Sequence, residues 1–227
     1  MIKIFANRKL ERVRKVLPQV KKILKNFKTS LKKAYFVFGG DGFLLKTLSE
    51  IYTREAKVYF FPLGENSGIK GFKLKEIEKI LENKIKTRKI KLPYLVAQRH
   101  RAFNDIVIRT GKIARTAKFK ISCGRKEIFF EGDGVIISTP LGSGAYNFAA
   151  GGPQISIEKI ATIITPLVVF KGWGKSIVTK EDSVNVEILK KQGDVWICFD
   201  GRNFIPVEKR VKIRRKISKC EFVLKND

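Results

Sequence analysis

The chain has 227 residues, 44% hydrophobic and 30% charged, with a net charge of +27 at pH 7. That length suits one large domain or two modest ones and is enough to bury a core. No apolar stretch approaches the roughly 18 residues of a membrane span, and the longest, Ile160 to Phe170, is broken by Thr162, Thr165 and Pro166. Met1–Ala6 is too short for the apolar core of a secretory signal and runs into dense charge, so a cytoplasmic protein is expected. Cys123, Cys198 and Cys220 form no Cys-x-x-Cys pair, which argues against a disulfide framework or a zinc site and for free thiols in a reduced compartment. His100 is the only histidine, which excludes a multi-histidine metal site. The positive charge attracts polyanions, but Lys and Arg are spread from end to end, which argues for a solvated surface over a nucleic-acid groove.

In chain order, Met1–Ala6 alternates like a strand. Leu10, Val13, Val16, Leu17, Val20, Ile23, Leu24 and Phe27 then recur at helical spacing, predicting an amphipathic helix over 9–28 with a basic outer face, split or kinked at Pro18. The apolar run Ala34–Phe38 predicts a buried strand ending in Gly39-Gly40-Asp41-Gly42, where the glycines permit positive φ and close backbone approach. A helix follows with Leu44, Leu45, Leu48 and Ile51 on one face. A strand, glycine turn and helix in succession aim backbone N–H groups and a positive helix end at one point, which suits a phosphate. Asp41 would repel phosphate unless it holds a metal or takes a proton from an attacking hydroxyl; the alternative is that it only shapes the turn or caps the helix. Lys57–Leu63 is a further strand, running into the polar glycine loop Gly64–Phe72, with a short helix over about 74–81. This alternation predicts a Rossmann-like α/β domain with a parallel sheet and ligands at the carboxyl ends of its strands, so both glycine loops are expected to face one site.

The pattern changes near Lys84. Short strands are expected over 85–96, 103–109, 116–122, 127–131, 134–138, 161–165, 176–179, 183–189, 194–199, 203–207 and 211–216. The fold class is therefore α/β plus all-β, with a sandwich-like, β-rich C-terminal domain. The boundaries read as 1–90 for the α/β domain, 91–216 for the β-rich domain, and 217–227 as a segment apolar enough to dock back on the first.

One segment of the β-rich region, Glu131–Pro153, carries too many small and hydroxyl residues for plain sandwich sequence. Small residues let a flat or phosphorylated ligand lie against backbone; Thr139, Ser143 and Tyr146 can donate hydrogen bonds, and Tyr146 can stack on a base. The alternative is a tight structural connection. Asn104-Asp105 sets an amide beside a carboxylate, which suits ribose hydroxyls, or else marks a polar strand start.

Together these residues resemble the NAD kinases. The resemblance rests on Gly39-Gly40-Asp41-Gly42, Gly64–Phe72 (like G-x-N-x-G-x-L-G-F), Asn104-Asp105, Asp133-Gly134, Thr139–Tyr146 (like T-P-T-G-S-T-A-Y) and Ala150-Gly151-Gly152-Pro153, in matching order over about residues 34–201. It implies transfer of the terminal phosphoryl group of ATP or polyphosphate to the 2′-hydroxyl of the adenosine ribose of NAD, with Mg2+ or another divalent metal. It implies Asp41 as the base and Gly39, Gly40, Gly42 and Asn66 along the phosphate-donor loops. Dinucleotide-binding positions are Asp41, Gly42, Lys46, Asn104, Asp105, Arg115, Asp133, Gly144, Ala145, Tyr146, Asn147 and Ala149. Lys46 either reaches phosphate or is simply solvated. A homodimer or homotetramer is implied, and no membrane. The chain departs from the family pattern at Phe43 (usually Thr), Lys70 (Leu), Glu131 (Arg or Lys), Leu141 and Gly144 (Thr), Arg202 (Gln), and after Pro166. These departures keep two other readings open: a related lipid or sugar kinase, and a basic nucleic-acid binder without activity.

Overall fold

A computed structural model describes residues 2–27 and 29–226. The chain forms two compact units, Met1–Leu92 with Ser218–Asp227, and Pro93–Ile217.

In the first unit, strands β1 (Ile2–Ala6), β2 (Ala34–Gly39) and β3 (Lys57–Pro62) lie parallel, in register Ile4↔Phe36 and Phe36↔Tyr59. Helices α1 (Glu11–Asn26) and α2 (Asp41–Ile51) make the two crossovers, and α3 (Ile77–Leu81) follows β3 after a single 3-10 turn over Leu74–Glu76. Phe36, Phe38, Tyr59 and Phe61 cluster with Val13, Leu17 and Val20 of α1 and Ile77, Ile80 and Leu81 of α3. The Phe38 and Phe61 rings stack at 4.6 Å. Burial of aromatic faces of this size dominates the unit's stability. Pro18 does not divide α1, contrary to the expected break: the helix runs unbroken past it, and the ring lies on the exposed side, where water can satisfy the carbonyl that loses its donor. The last strand of the chain, β14 as numbered below, adds a fourth parallel member here through Glu221↔Lys57 and Phe222↔Val58.

The second unit is antiparallel throughout its recorded pairings. After β4 (Thr87–Ala97), which enters this unit at Pro93, come β5 (His100–Ala102), β6 (Asp105–Thr110), β7 (Ala117–Cys123) and β8 (Lys126–Ser138). The one-turn helix α4 (Tyr146–Ala149) precedes β9 (Thr162–Gly172), β10 (Ile177–Thr179), β11 (Ser183–Lys191), β12 (Val195–Phe199), β13 (Asn203–Val207) and β14 (Arg210–Lys225). Neighbours run β14-β11-β7-β8-β6-β12-β13, with β9 also on β8. Alternate residues of β6, β7, β8, β11 and β12, among them Ile108, Phe119, Ile137, Val186 and Ile197, fill one core.

Two expected strands, 127–131 and 134–138, are one. β8 pairs with β7 up to Gly132 and with β6 from Gly134 onward, so Gly132-Asp133-Gly134 is the corner where it changes partner. Only glycine fits there: a Cβ on Gly134 would lie 2.2 Å from the Ile108 carbonyl oxygen, and one on Gly132 would lie 2.8 Å from those of Leu167 and Val168. β9 is longer than its expected span because Pro166 does not end it. Its pairing with β10 stops at Ile164, so the missing N–H of Pro166 interrupts no ladder on that side. The three-residue β5 escaped the sequence reading.

Candidate active site

In the first unit, Gly39 closes β2, Gly40 precedes α2, and Asp41 and Gly42 are its first two residues. The expected positive φ is absent: Gly40 has φ −89° and ψ 175°. Contact, not backbone freedom, calls for these small residues. A Cβ on Gly64 would lie 3.0 Å from the Gly40 Cα, and one on Gly39 would lie 3.0 Å from the Phe43 ring. The two glycine loops therefore meet, and Asp41 joins them. Its carboxylate accepts the Ser67 hydroxyl on Oδ1 and the N–H groups of Gly68 (2.7 Å) and Ile69 (3.2 Å) on Oδ2. The carboxylate is fixed in direction and partly exposed. Lys46 is exposed one turn along α2, and Asn66 is exposed on the second loop.

In the second unit, a cleft of about 820 Å3 lies against β6, β12 and β13. That volume falls in the range of small-molecule sites. Asn104, Asp105, Cys198 and Asp200 make it polar on one side, while Tyr146, Trp196, Phe204 and Ile113 supply apolar surface. Asp200, with φ +48°, turns its carboxylate onto the N–H groups of Phe103 (3.0 Å), Asn104 (2.7 Å) and Asp105 (3.3 Å), and Arg202 donates to it at 3.3 Å. Arg202, a departure from the family pattern, thus neutralises a buried charge. Two groups are left open. The Asn104 Oδ1 is buried without a hydrogen-bond partner, and Asp105, 5% exposed, borders the cleft.

Burial pushes both carboxyls above the usual carboxylate range. At Asp200 the backbone amides and Arg202 oppose that rise. At Asp105 the neighbouring Asp200 adds to burial, and its carboxyl is pushed up to about 7.

The Thr139–Pro153 segment is mostly scaffold. Thr139 is buried and donates to the Phe103 carbonyl at 2.5 Å. Ser143 is buried and donates to Pro140 O at 2.8 Å. Asn147, expected at the dinucleotide, is 0% exposed: its amide donates to Ser143 O (3.1 Å) and Pro153 O (3.0 Å), and its oxygen accepts from Thr165 (2.7 Å). Its polar atoms tie the loop to β9 and are not presented to a ligand. Ala145 and Tyr146 border the cleft, and Gly144 and Ala149 are exposed nearby in sequence but are not among its lining residues. Asp133, at the corner of β8, lies 3.8 Å from Arg109, which lines the cleft. Arg115 is exposed, and its carbonyl accepts the Thr110 hydroxyl. Glu131, the reversed charge, accepts the Thr116 hydroxyl at 3.0 Å and sits 3.9 Å from Lys118. Trp196, Phe204 and Arg109 were missed as site residues. The signal was present in β12, where Trp196 and Cys198 alternate with the core residues Val195, Ile197 and Phe199.

Comparison with known proteins gives the family and the fold. The family model of the ATP-NAD kinase C-terminal domain matches residues 103–225. An NAD kinase of Clostridium perfringens is 32% identical over 200 residues, covering 81% of this chain and 71% of the relative. Two solved structures share the fold with TM-scores of 0.78: a yeast NADH kinase complexed with NADH (18% identity, 100% of this chain, 83% of that one) and an NAD kinase from Archaeoglobus fulgidus in complex with ATP (19%, 100% and 94%). With its two glycine loops joined at one carboxylate and a family domain matched across its β-rich unit, the chain belongs to the NAD kinases.

Proposed function

We propose that this protein moves the terminal phosphoryl group of ATP to the 2′-hydroxyl of the adenosine ribose of NAD, forming NADP. The observation that carries this is the Asp41 carboxylate, held by three donors at the start of a helix and beside two glycine loops. In the step, the ribose oxygen forms a bond to the γ-phosphorus, the bond from that phosphorus to the β–γ bridging oxygen breaks to release ADP, and the hydroxyl proton passes to Asp41. Phosphoryl transfer asks mainly for positioning and charge neutralisation. Asn104 Oδ1 and Asp105 are suited to hydroxyl or amino donors of the dinucleotide, with Tyr146 and Trp196 to its flat rings.

No group of three or more His, Cys, Asp or Glu side chains able to hold a metal occurs among the described residues. A divalent ion is proposed as a companion of the donor's phosphates. Polyphosphate is the second donor to test, since it needs phosphate contacts alone. Exposed Phe129, Val168, Phe170 and Trp173 favour a homo-oligomer. No described helix is long and apolar enough to cross a membrane, and three free thiols suit the reduced cytoplasm.

The test is incubation with NAD, ATP and Mg2+, reading NADP with an NADP-specific dehydrogenase, for the wild-type chain and Asp41→Ala. NADP formation lost in a folded Asp41→Ala variant is the expected result; undiminished formation removes Asp41 as the base.

A further inference from the structure

The Asp41 carboxylate is held by three donors of the second glycine loop, which give it a fixed direction. An ionised carboxylate offers about four lone-pair sites. The N–H groups of Gly68 and Ile69 take two on Oδ2, and the Ser67 hydroxyl takes one on Oδ1. One site on Oδ1 is left for an incoming hydroxyl. Oδ2 already accepts the Gly68 and Ile69 amides, so the open position lies on Oδ1.

We infer that Ser67 is a positioning residue for the phosphoryl transfer. Its hydroxyl shares Oδ1 with the acceptor hydroxyl and so sets which lone pair receives the proton. The two amide contacts come from backbone and survive any side-chain change; Ser67 supplies the one orienting contact that a substitution can remove. This inference rests on Asp41 being the base. It concerns turnover at Asp41 and not the Asn104–Asp105 cleft, whose bordering residues do not include Ser67. Removing the hydroxyl frees a second lone pair on Oδ1 and loosens the placement of that oxygen while the amides keep Oδ2, so turnover falls while binding stays. A loop that merely needed Ser67 to fold would instead lose substrate affinity and thermal stability together.

The experiment measures kcat and KM for NAD and for ATP, with melting temperature, in Asp41→Ala, Ser67→Ala, Ser67→Thr and Ser67→Cys. The expected result is a Ser67→Ala kcat lower by about 10-fold, the scale of one lost hydrogen bond to a charged group. Both KM values stay within about twofold, Ser67→Thr keeps most of the wild-type kcat, and the weak thiol donor of Ser67→Cys falls between. If Ser67→Ala does not fold, the kcat loss of Ser67→Cys against Ser67→Thr carries the same comparison. A Ser67→Ala kcat equal to wild type, or a loss appearing mainly in KM, overturns the role of Ser67 while an inactive Asp41→Ala leaves the base intact. An active Asp41→Ala overturns both.

Discussion

Asp105 and Asp200 lie on the same cleft and meet opposite conditions. Asp200 accepts three backbone amides and an arginine; Asp105 is buried facing that charge, and its carboxyl is pushed up to about 7. Because the folded value exceeds the ordinary carboxylate value, the native state binds the extra proton between about pH 4 and pH 7. Stability is therefore intact below that window and is lost as pH rises through it, by a few kcal/mol at about 1.4 kcal/mol per pKa unit. Asp105→Asn carries no charge at any pH, so its melting temperature should exceed that of wild type by several degrees at pH 8 and by little near pH 4–5. A pH-independent difference would place the charge elsewhere. The same variant should bind NAD more weakly, read as a smaller ligand-induced rise in melting temperature. Asn147 is the contrasting residue: it is engaged entirely within the fold, and Asn147→Ala should cost about 2–3 kcal/mol in denaturant unfolding by leaving Thr165 and two carbonyls unmatched. Sequence distinguishes neither pair, since the solvation that separates Asn104 from Asn147 comes from strands that meet only in the folded chain.

The elements divide by how local their causes are. α1, α2 and the β1–β3 alternation were legible because periodicity and glycine punctuation are properties of adjacent residues. The exposed position of Pro18 was not, and it decides that α1 continues. The corner of β8 was misread as a gap between two strands because Gly-Asp-Gly ordinarily signals a turn; here it lets one strand leave β7 for β6. Gly134→Ala should accordingly cost more than a strand propensity change, about 3 kcal/mol or more, as its Cβ meets the Ile108 carbonyl. A loss under 1 kcal/mol by chemical denaturation would mean that β6 gives way. Gly64→Ala presses instead on Gly40, and its effect should appear as reduced kcat with the melting temperature nearly kept.

For the whole molecule, the motifs carried the family because they are short and ordered along the chain, whereas the aromatic side of the cleft, built from Trp196 and Phe204, has no motif. The charge of +27 reads from sequence as a solvated surface, and exposed ion pairs such as Lys15–Glu11 (2.7 Å) contribute little there. The metal's place follows at this scale too. On the proposal that a divalent ion comes with the nucleotide, a chelator should abolish NADP formation without lowering the melting temperature of the ligand-free protein; a drop in melting temperature would point to a structural ion.

β3 receives its second parallel neighbour only from Glu221 and Phe222. During synthesis the whole of the β-rich unit is polymerised before that partner exists. Until then this edge of β3 lacks its Glu221 and Phe222 neighbours. A nascent chain arrested before residue 218 should therefore be more open to proteases at β3 than the released protein, though most of that unit's sequence left the ribosome earliest.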